Sequence, residues 1–381
     1  MNIIWSCPLD VSGYSQCGRD YTLCLDHIGC NVKYETPVVS SLLDGLGIDF
    51  ELKNKLQTLI DKKFESAHVR VSHSVPDRFV IDKKATLNIG YTVVETEKIP
   101  DGWAFLCNKM DAIFTASAFC RDILVKNGVT VPVFVIPHCH NIKEYSEVNS
   151  YNIGNRKAFN FLFMADMTPR KGWKHLVKAY CESFSPEDNV SLTFKVYYHD
   201  FSEKSKQRCK NAIREVADVL GFQLNDNTAP FYFYGDCLPN KCIPRFINSF
   251  DAIVSPHSGE GWGLVCSQAM MLGKPVIATE YSGNLEFMNH DNSFLVPIKG
   301  FEKVPDDMVR INSNYANQEW AVIDPEELGH TMRQLYIDSH NAADIGIKGQ
   351  QHMHKNFTYE PVGNQIKDAI EILLKMKETK K

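Results

Sequence analysis

Apolar residues along the chain gather into short β-rich runs separated by stretches with helical spacing. Within the first 150 residues the strand-like runs are 2–6, 68–72, 87–94, 112–115 and 133–136, and the pattern from about Gln16 to Ile28 predicts a helix behind the first of them. A second series follows at 159–164, 192–198, 231–234, 252–255, 275–278 and 293–296, again with helical patterns between. Alternation of this kind predicts βαβ units and parallel sheets, because a crossover must carry the chain back before the next parallel strand can pair. Two doubly wound α/β units in tandem account for both series. The polar stretch 149–155 contains Gly and lacks either periodicity, which makes it the candidate linker between a first domain over 1–150 and a second over 151–360.

At the end of the chain, Ile366, Ala369, Ile370, Leu373 and Leu374 stand at i, i+3, i+4, i+7 and i+8, the stripe of one amphipathic helix within 361–381. That helix is expected to pack back on the first domain. The Lys-rich tail, Lys375, Lys377, Lys380 and Lys381, reads as a solvated, frayed helix end.

Composition narrows the class. The 381 residues are 44% hydrophobic, with 41 basic and 46 acidic side chains and a net charge of −5. Disorder, a collagen-like repeat and a strongly basic nucleic-acid binder are all excluded by those values. Twelve Cys are scattered without C-x-x-C spacing and read as reduced thiols rather than a disulfide framework. Asn2 to Trp5 is too short an apolar segment for a signal peptide, and no run approaches the roughly 18 apolar residues of a spanning helix. The expected location is cytoplasmic.

The chemistry concentrates in 255–268, Ser-Pro-His-Ser-Gly-Glu-Gly-Trp-Gly-Leu-Val-Cys-Ser-Gln. An apolar strand runs into a loop in which Gly259, Gly261 and Gly263 surround one acid and one aromatic, and a helix follows. Glycines let backbone approach a ligand closely, and a helix start presents free N–H groups and a partial positive charge. That suits an anion such as a diphosphate. Glu260 at the same mouth would repel phosphate but can accept hydrogen bonds from hydroxyls, so a ligand with an anionic and a polyhydroxyl part fits both. Gln268 lies just over two helical turns further on and can face the same place. From composition alone, a Gly-rich βα turn with Glu260 as a solvated cap is an equal alternative.

The string from Gly259 through Met288, with Gly-Glu-Gly-Trp-Gly-Leu, Gln-Ala-Met, Gly-Lys-Pro-Val-Ile-Ala-Thr and Ser-Gly-Asn-Leu-Glu-Phe-Met, resembles the donor-site signature of the retaining glycosyltransferases of family four. These are group 1 glycosyl transferases, many of them mannosyltransferases. Further segments agree in order: 111–117, 135–138, 169–173 and 280–288. The resemblance implies a GT-B fold, two Rossmann-like domains facing a cleft, and transfer of a sugar from a nucleotide-sugar to an acceptor hydroxyl with retention. It assigns sugar hydroxyls to Glu260 and the nucleotide ribose to the second acid of the motif, which here is Gln268; an amide can still bond a hydroxyl but carries no charge. It also implies that Lys171 neutralises the leaving diphosphate. The usual Arg sits about six residues earlier, where this chain has Ala165, and Arg170 is the substitute.

In the first domain, Gly13 belongs to a Gly-bearing loop behind the first strand, where the family closes over the diphosphate; a plain turn is the alternative. Glu95 ends the strand 87–94 where many relatives place a His, and could accept the acceptor hydroxyl's hydrogen bond or stabilise oxocarbenium character, unless it is simply solvated. Leu238 falls where relatives contact the nucleobase through backbone. Gly261, Trp262, Gly263 and Leu264 complete the expected donor site, the backbone amides of that stretch facing the diphosphate.

No cofactor or metal is expected. His138 and His140, two apart on a strand end, lack a neighbouring carboxylate or Cys pair and make a poor zinc site. Asp306 and Asp307 are not flanked by strand signals. Trp103 and Trp173 read as packing aromatics. The expected partners are a nucleotide-sugar, with GDP-mannose preferred over UDP-sugars, and a glycan or glycoprotein acceptor, with a homodimer allowed and neither nucleic acid nor an integral membrane segment involved. Two alternatives stay open: a nucleotide-sugar epimerase of the same fold, and an inactive nucleotide-sugar-binding protein.

Overall fold

The computed structural model describes residues 1–36, 42–154, 157–198 and 200–379. Asn155 of the candidate linker and Lys380 and Lys381 of the tail lie outside the described residues. The chain divides into two compact units, one of residues 1–144, 239–241 and 354–379, the other of 145–238 and 242–353.

The first unit holds β1 (Asn2–Ser6), β2 (Asn31–Glu35), β3 (Val69–His73), β4 (Leu87–Tyr91), β5 (Ala112–Thr115) and β6 (Val133–Val135), all parallel in the order β2-β1-β3-β4-β5-β6. The strand β2 escapes the sequence analysis because only Val32 and Tyr34 of its five residues are apolar, too short a pattern to stand out. Behind β1, Ser12 caps the helix Gly13–His27 by accepting from the backbone of Ser15. Gly18 lets that helix lie against the chain leaving β1, since a Cβ there would sit 2.4 Å from the Cys7 sulfur. The terminal helix Tyr359–Glu378 belongs to this unit and lies on the same helix: it buries Val362, Ile366, Ala369, Ile370 and Leu373, Tyr359 donates to Asp20 at 2.9 Å and Lys377 pairs with Asp111 at 2.6 Å. Val362, Ile366, Ile370 and Leu373 each contribute about 1.5–3 kcal/mol on leaving water, so the stripe rather than the polar links holds the helix.

The second unit is built on β7 (Phe159–Asp166), β8 (Val190–Tyr197), β9 (Phe231–Tyr234), β10 (Ala252–Ser255), β11 (Val276–Thr279) and β12 (Phe294–Val296), parallel in the order β12-β11-β10-β7-β8-β9. One face of β7 and β8 is almost wholly aromatic and aliphatic, with Phe161, Phe163, Leu192, Phe194 and Val196 packed beneath the helices Trp173–Ser183, Glu203–Val219 and Pro325–Ile337. A two-stranded antiparallel ribbon, β13 (Ile298–Lys303) and β14 (Glu319–Ile323), follows β12 and encloses a small core of Val304, Met308 and Trp320. One expectation from the sequence is not met. Asp306 and Asp307 open the helix Asp306–Ile311 three residues after β13, so they are flanked by a strand that the mixed sequence of 298–303 conceals.

Both units are therefore Rossmann-like α/β sheets. Among the described residues no helix is long and apolar enough to cross a membrane, and every cysteine is a free thiol.

Candidate functional site

In the second unit β7, first of its strands in the chain, lies beside β10, the fourth, and sheet growth reverses between them. Open parallel sheets bind ligands outside the carboxyl ends of their strands at such a reversal, because the crossovers on either side leave opposite faces and open a crevice. The loops that leave β7 and β10 meet there. Residues Pro169–Lys171 form a single 3-10 turn closed by Gly172, whose φ of +69° suits glycine, and a Cβ on Gly172 would sit 1.7 Å from the Pro256 carbonyl oxygen. Only glycine allows that approach. With it, the Ser258 amide donates to the Arg170 carbonyl at 2.7 Å, tying the two loops together.

That turn delivers both cations to Glu260. Lys171 Nζ stands 2.5 Å from Glu260 Oε1 and 3.9 Å from Asp166, while Arg170 is buried, donates to the Gly259 carbonyl at 2.5 Å and lies 3.4 Å from the same Glu260 oxygen. A third loop, leaving β11, holds the backbone of Glu260 in place. Ser282, at φ +78°, accepts the Glu260 amide at 2.9 Å, and the Gly283 amide donates to the Glu260 carbonyl at 2.8 Å. A non-glycine at such a φ stores strain, which the hydrogen bonds to a single loop offset. Ser282 lies within the Ser-Gly-Asn-Leu-Glu-Phe-Met string, but nothing in that string assigns it the clamp on Glu260.

Beyond Glu260, Trp262 turns inward, its ring 4.5 Å from that of Phe287 and its indole N–H donating to Ser267 Oγ at 3.1 Å. Gly263, at φ +97°, starts the helix Leu264–Met271, in which Gln268 is buried. Gly261, Gly263 and Leu264 thus share a loop with Glu260 and bring backbone to the site, whereas the Trp262 indole is spent on packing. Leu238 lies half-buried after β9, two strands from β7 along the sheet order.

Burial pushes the Glu260 carboxyl up, but Lys171 and Arg170 outweigh it and hold the group down at about 2, so it is ionised at neutral pH. His257 is a residue that the sequence analysis passed over. Its ring is buried, neither nitrogen has a hydrogen-bond partner, and burial lowers it to about 4 with Lys171 and Arg170 adding to the effect and Glu260 opposing it. A neutral imidazole therefore sits beside an ion cluster. The only sequence signal is a His two residues past a buried strand, which many core positions share.

Gly13 and Glu95 lie in the first unit. Gly13 is the first residue of its helix, and the next side chain, Tyr14, reaches the segment after β4: its hydroxyl is 3.4 Å from Thr92 Oγ1 and accepts the Val93 amide at 3.3 Å. The Gly13 turn and the Glu95 segment are thereby adjacent. The strand β4 ends at Tyr91, not at residue 94, so Glu95 sits four residues into a loop rather than at a strand end. Tertiary context shortened the run. His138 and His140 are both buried, with His138 Nδ1 2.9 Å from the Cys17 sulfur, and among the described residues no group of three His, Cys, Asp or Glu could hold a metal ion.

This sheet order and loop arrangement belong to a known class. The chain has the GT-B fold: it superposes on Anabaena HepE in complex with UDP-glucose with a TM-score of 0.66 at 15% identity, over 97% of this chain and 99% of that one. It is similar to the same extent to a glycosyltransferase from Rickettsia africae, with a TM-score of 0.66 at 15% identity over 98% of each chain. A sucrose-phosphate synthase from Thermosynechococcus elongatus gives 0.63 at 14%, over 99% of this chain and 100% of that one. Residues 158–314, which carry Arg170, Lys171, Glu260 and Gln268, match the family model described as glycosyl transferases group 1. No curated protein sequence matches the chain.

Proposed function

We propose that the protein is a glycosyltransferase that moves a sugar from a nucleotide-sugar donor to the hydroxyl of a glycan or glycoprotein, with retention of anomeric configuration and without a metal. One observation carries the reading: a cation from the loop after β7 and a carboxylate from the loop after β10 meet at the reversal point, within a segment that matches the group 1 family. A diphosphate needs the first and a hydroxylated sugar the second.

In the proposed reaction the bond between anomeric carbon and phosphate oxygen breaks as the acceptor oxygen bonds the same face of that carbon. Lys171 and the amides of 261–264 stabilise the charge that develops on the leaving diphosphate. Glu260 accepts hydrogen bonds from sugar hydroxyls, and the departing phosphate oxygen takes the acceptor's proton. No protein nucleophile enters. Arg170 acts chiefly as a brace, its guanidinium held on the Gly259 carbonyl. The first unit, with Glu95, is the proposed acceptor side, Gly13 is a proposed contact on the diphosphate side of the donor, and Leu238 and Gln268 are proposed contacts to the nucleoside. GDP-mannose is the first donor to test and UDP-glucose the second, since HepE has been seen with UDP-glucose.

Titration calorimetry against GDP-, UDP- and ADP-sugars tests donor binding, and a product assay with glycan acceptors tests transfer. Lys171→Ala should abolish transfer with the fold intact, a loss of at least about a hundredfold for an electrostatic partner of the leaving group. Full activity in that variant removes the phosphate clamp.

A further inference from the structure

The cation proposed for the diphosphate and the carboxylate proposed for the sugar are, in the absence of ligand, each other's partner. We propose that Glu260 competes with the donor's diphosphate for Lys171, so that the site selects a nucleoside diphosphate carrying a sugar over the same nucleoside diphosphate without one. This rests on the donor assignment above and adds a discriminating role for Glu260.

The geometry leaves Glu260 no alternative. Its backbone is pinned on both sides, the amide to Ser282 Oγ at 2.9 Å and the carbonyl to the Gly283 amide at 2.8 Å, and its side chain is largely buried, so the carboxylate cannot follow Lys171 by a shift of the loop. Its second cation, Arg170, stands further off at 3.4 Å and is committed to the Gly259 carbonyl. When a diphosphate draws Lys171 away, a largely buried carboxylate is left beside a new anion with one weaker partner, and an uncompensated buried charge is strongly unfavourable. Sugar hydroxyls remove that penalty, because each can donate a hydrogen bond to the carboxylate and take the place of the ammonium. The two ends of one donor thus satisfy both halves of the pair.

The same competition acts after transfer. Once the sugar has left, Glu260 loses its hydroxyl donors and can reclaim Lys171, which favours departure of the nucleoside diphosphate. Beside Arg170, the charged or titratable groups around the pair among the described residues include Asp166, 3.9 Å from Lys171 Nζ, the neutral ring of His257, whose titration Glu260, Lys171 and Arg170 all influence, and the buried Cys266 thiol, which burial and Glu260 push up against the opposing effect of Lys171.

Calorimetry with UDP, UDP-glucose, GDP and GDP-mannose on the full chain, wild type and Glu260→Gln, tests the competition. In the wild type the sugar nucleotide of the accepted base should bind at least about tenfold more tightly than the matching diphosphate, and in Glu260→Gln the bare diphosphate should tighten by about tenfold while the sugar nucleotide weakens. A bare diphosphate that binds Glu260→Gln no better than wild type overturns the competition. Should that variant not fold, proton counting on the wild type at about pH 8, where the terminal phosphate of a bare diphosphate is already ionised, in buffers of different ionisation enthalpy, gives a second reading: the bare diphosphate should bind with uptake of a proton at Glu260 that the sugar nucleotide does not cause. Equal uptake by both overturns the proposal, as does an uptake that disappears in His257→Asn. If none of the four compounds binds wild type, and neither ADP nor ADP-glucose does, the donor assignment itself falls and takes this inference with it, whereas binding without the crossover removes the competition alone.

Discussion

Replacing Gly283 by Ala tests how firmly the third loop positions Glu260. The glycine has an ordinary backbone conformation, so the substitution adds a methyl group and little else. That methyl would sit 2.1 Å from the Gly261 carbonyl oxygen, 2.3 Å from its carbon and 2.7 Å from the Glu260 carbonyl oxygen. Favourable contact between such atoms begins near 3.5 Å, so backbone on one side or the other must yield by about 1.4 Å. No flexible side-chain end is available to give way, because all three obstructing atoms are main chain. The shift also stretches the 2.8 Å hydrogen bond from Gly283 to Glu260. Overpacking of this kind costs about 1–3 kcal/mol of stability, and displacing a catalytic group by about 1 Å can cost a hundredfold in rate. Thermal unfolding together with the sugar-transfer assay would read both effects. Gly45→Ala is the matched control, since a Cβ there meets nothing within 4 Å. A Gly283→Ala protein with wild-type melting temperature and wild-type transfer would show that the loop around Glu260 moves freely, and the rigid carboxylate assumed above would be wrong.

Acid should destabilise the fold well above the usual carboxylate range. His73, His138, His140 and His257 are buried and lowered from 6.5, His73 and His140 to about 3 and His257 to about 4, and Trp5 donates its indole N–H to His73 Nδ1, which requires a bare ring nitrogen. In the unfolded chain each takes up a proton below about pH 6.5, so their contribution is complete above that pH and falls on acidification towards 4, by about 1.4 kcal/mol per pH unit for each ring. The Asp20 carboxyl, which burial and Glu144 raise to about 8, offsets part of this. Denaturant unfolding at pH 7, 6 and 5 checks it, and a midpoint that does not fall refutes the neutral, buried imidazoles. Thiol chemistry offers an independent check on the packing: Cys237 is exposed, Cys30 and Cys242 are partly covered and the other nine cysteines are buried, so an aromatic disulfide reagent should find one fast thiol and two slower ones in the native protein and the other nine only on unfolding. Fast modification of a Cys237→Ser variant would contradict that ranking.

How far the sequence reached is visible in particular elements. The strands at 2–6, 112–115, 231–234 and 252–255 are found where hydrophobic pattern alone places them: 112–115 and 252–255 are buried on both faces and read as nearly continuous apolar runs, while 2–6 and 231–234, only partly buried, are marked by short clusters of β-branched and aromatic residues. The terminal helix was equally legible, since its stripe repeats over many turns. The loop after β10 announced itself through three glycines around one acid and one aromatic, a pattern that suits close backbone approach and that a plain βα turn shares. What stayed hidden has a common character. The strand β2 and the ribbon of β13 and β14 carry too few apolar residues to signal a period, and they exist because neighbours supply the pairing and the core.

For the site the division is sharper still. Lys171, Arg170 and Glu260 are 89 or more positions apart in the chain across the two loops, and the sequence could name them as candidates without saying that they pair with one another. Their contact depends on β7 and β10 being neighbours, which the sheet order decides, and on Gly172 and Gly283 admitting backbone within distances that any other residue would block. His257 and Ser282 acquire meaning only there, one as a neutral ring with unbonded nitrogens, the other as a strained residue clamping the Glu260 amide. Residue chemistry and local pattern are properties of short segments and can be read along the chain. Which charges neutralise each other, and which rings are kept from water, are properties of contacts between distant segments, and the tertiary structure alone decides them.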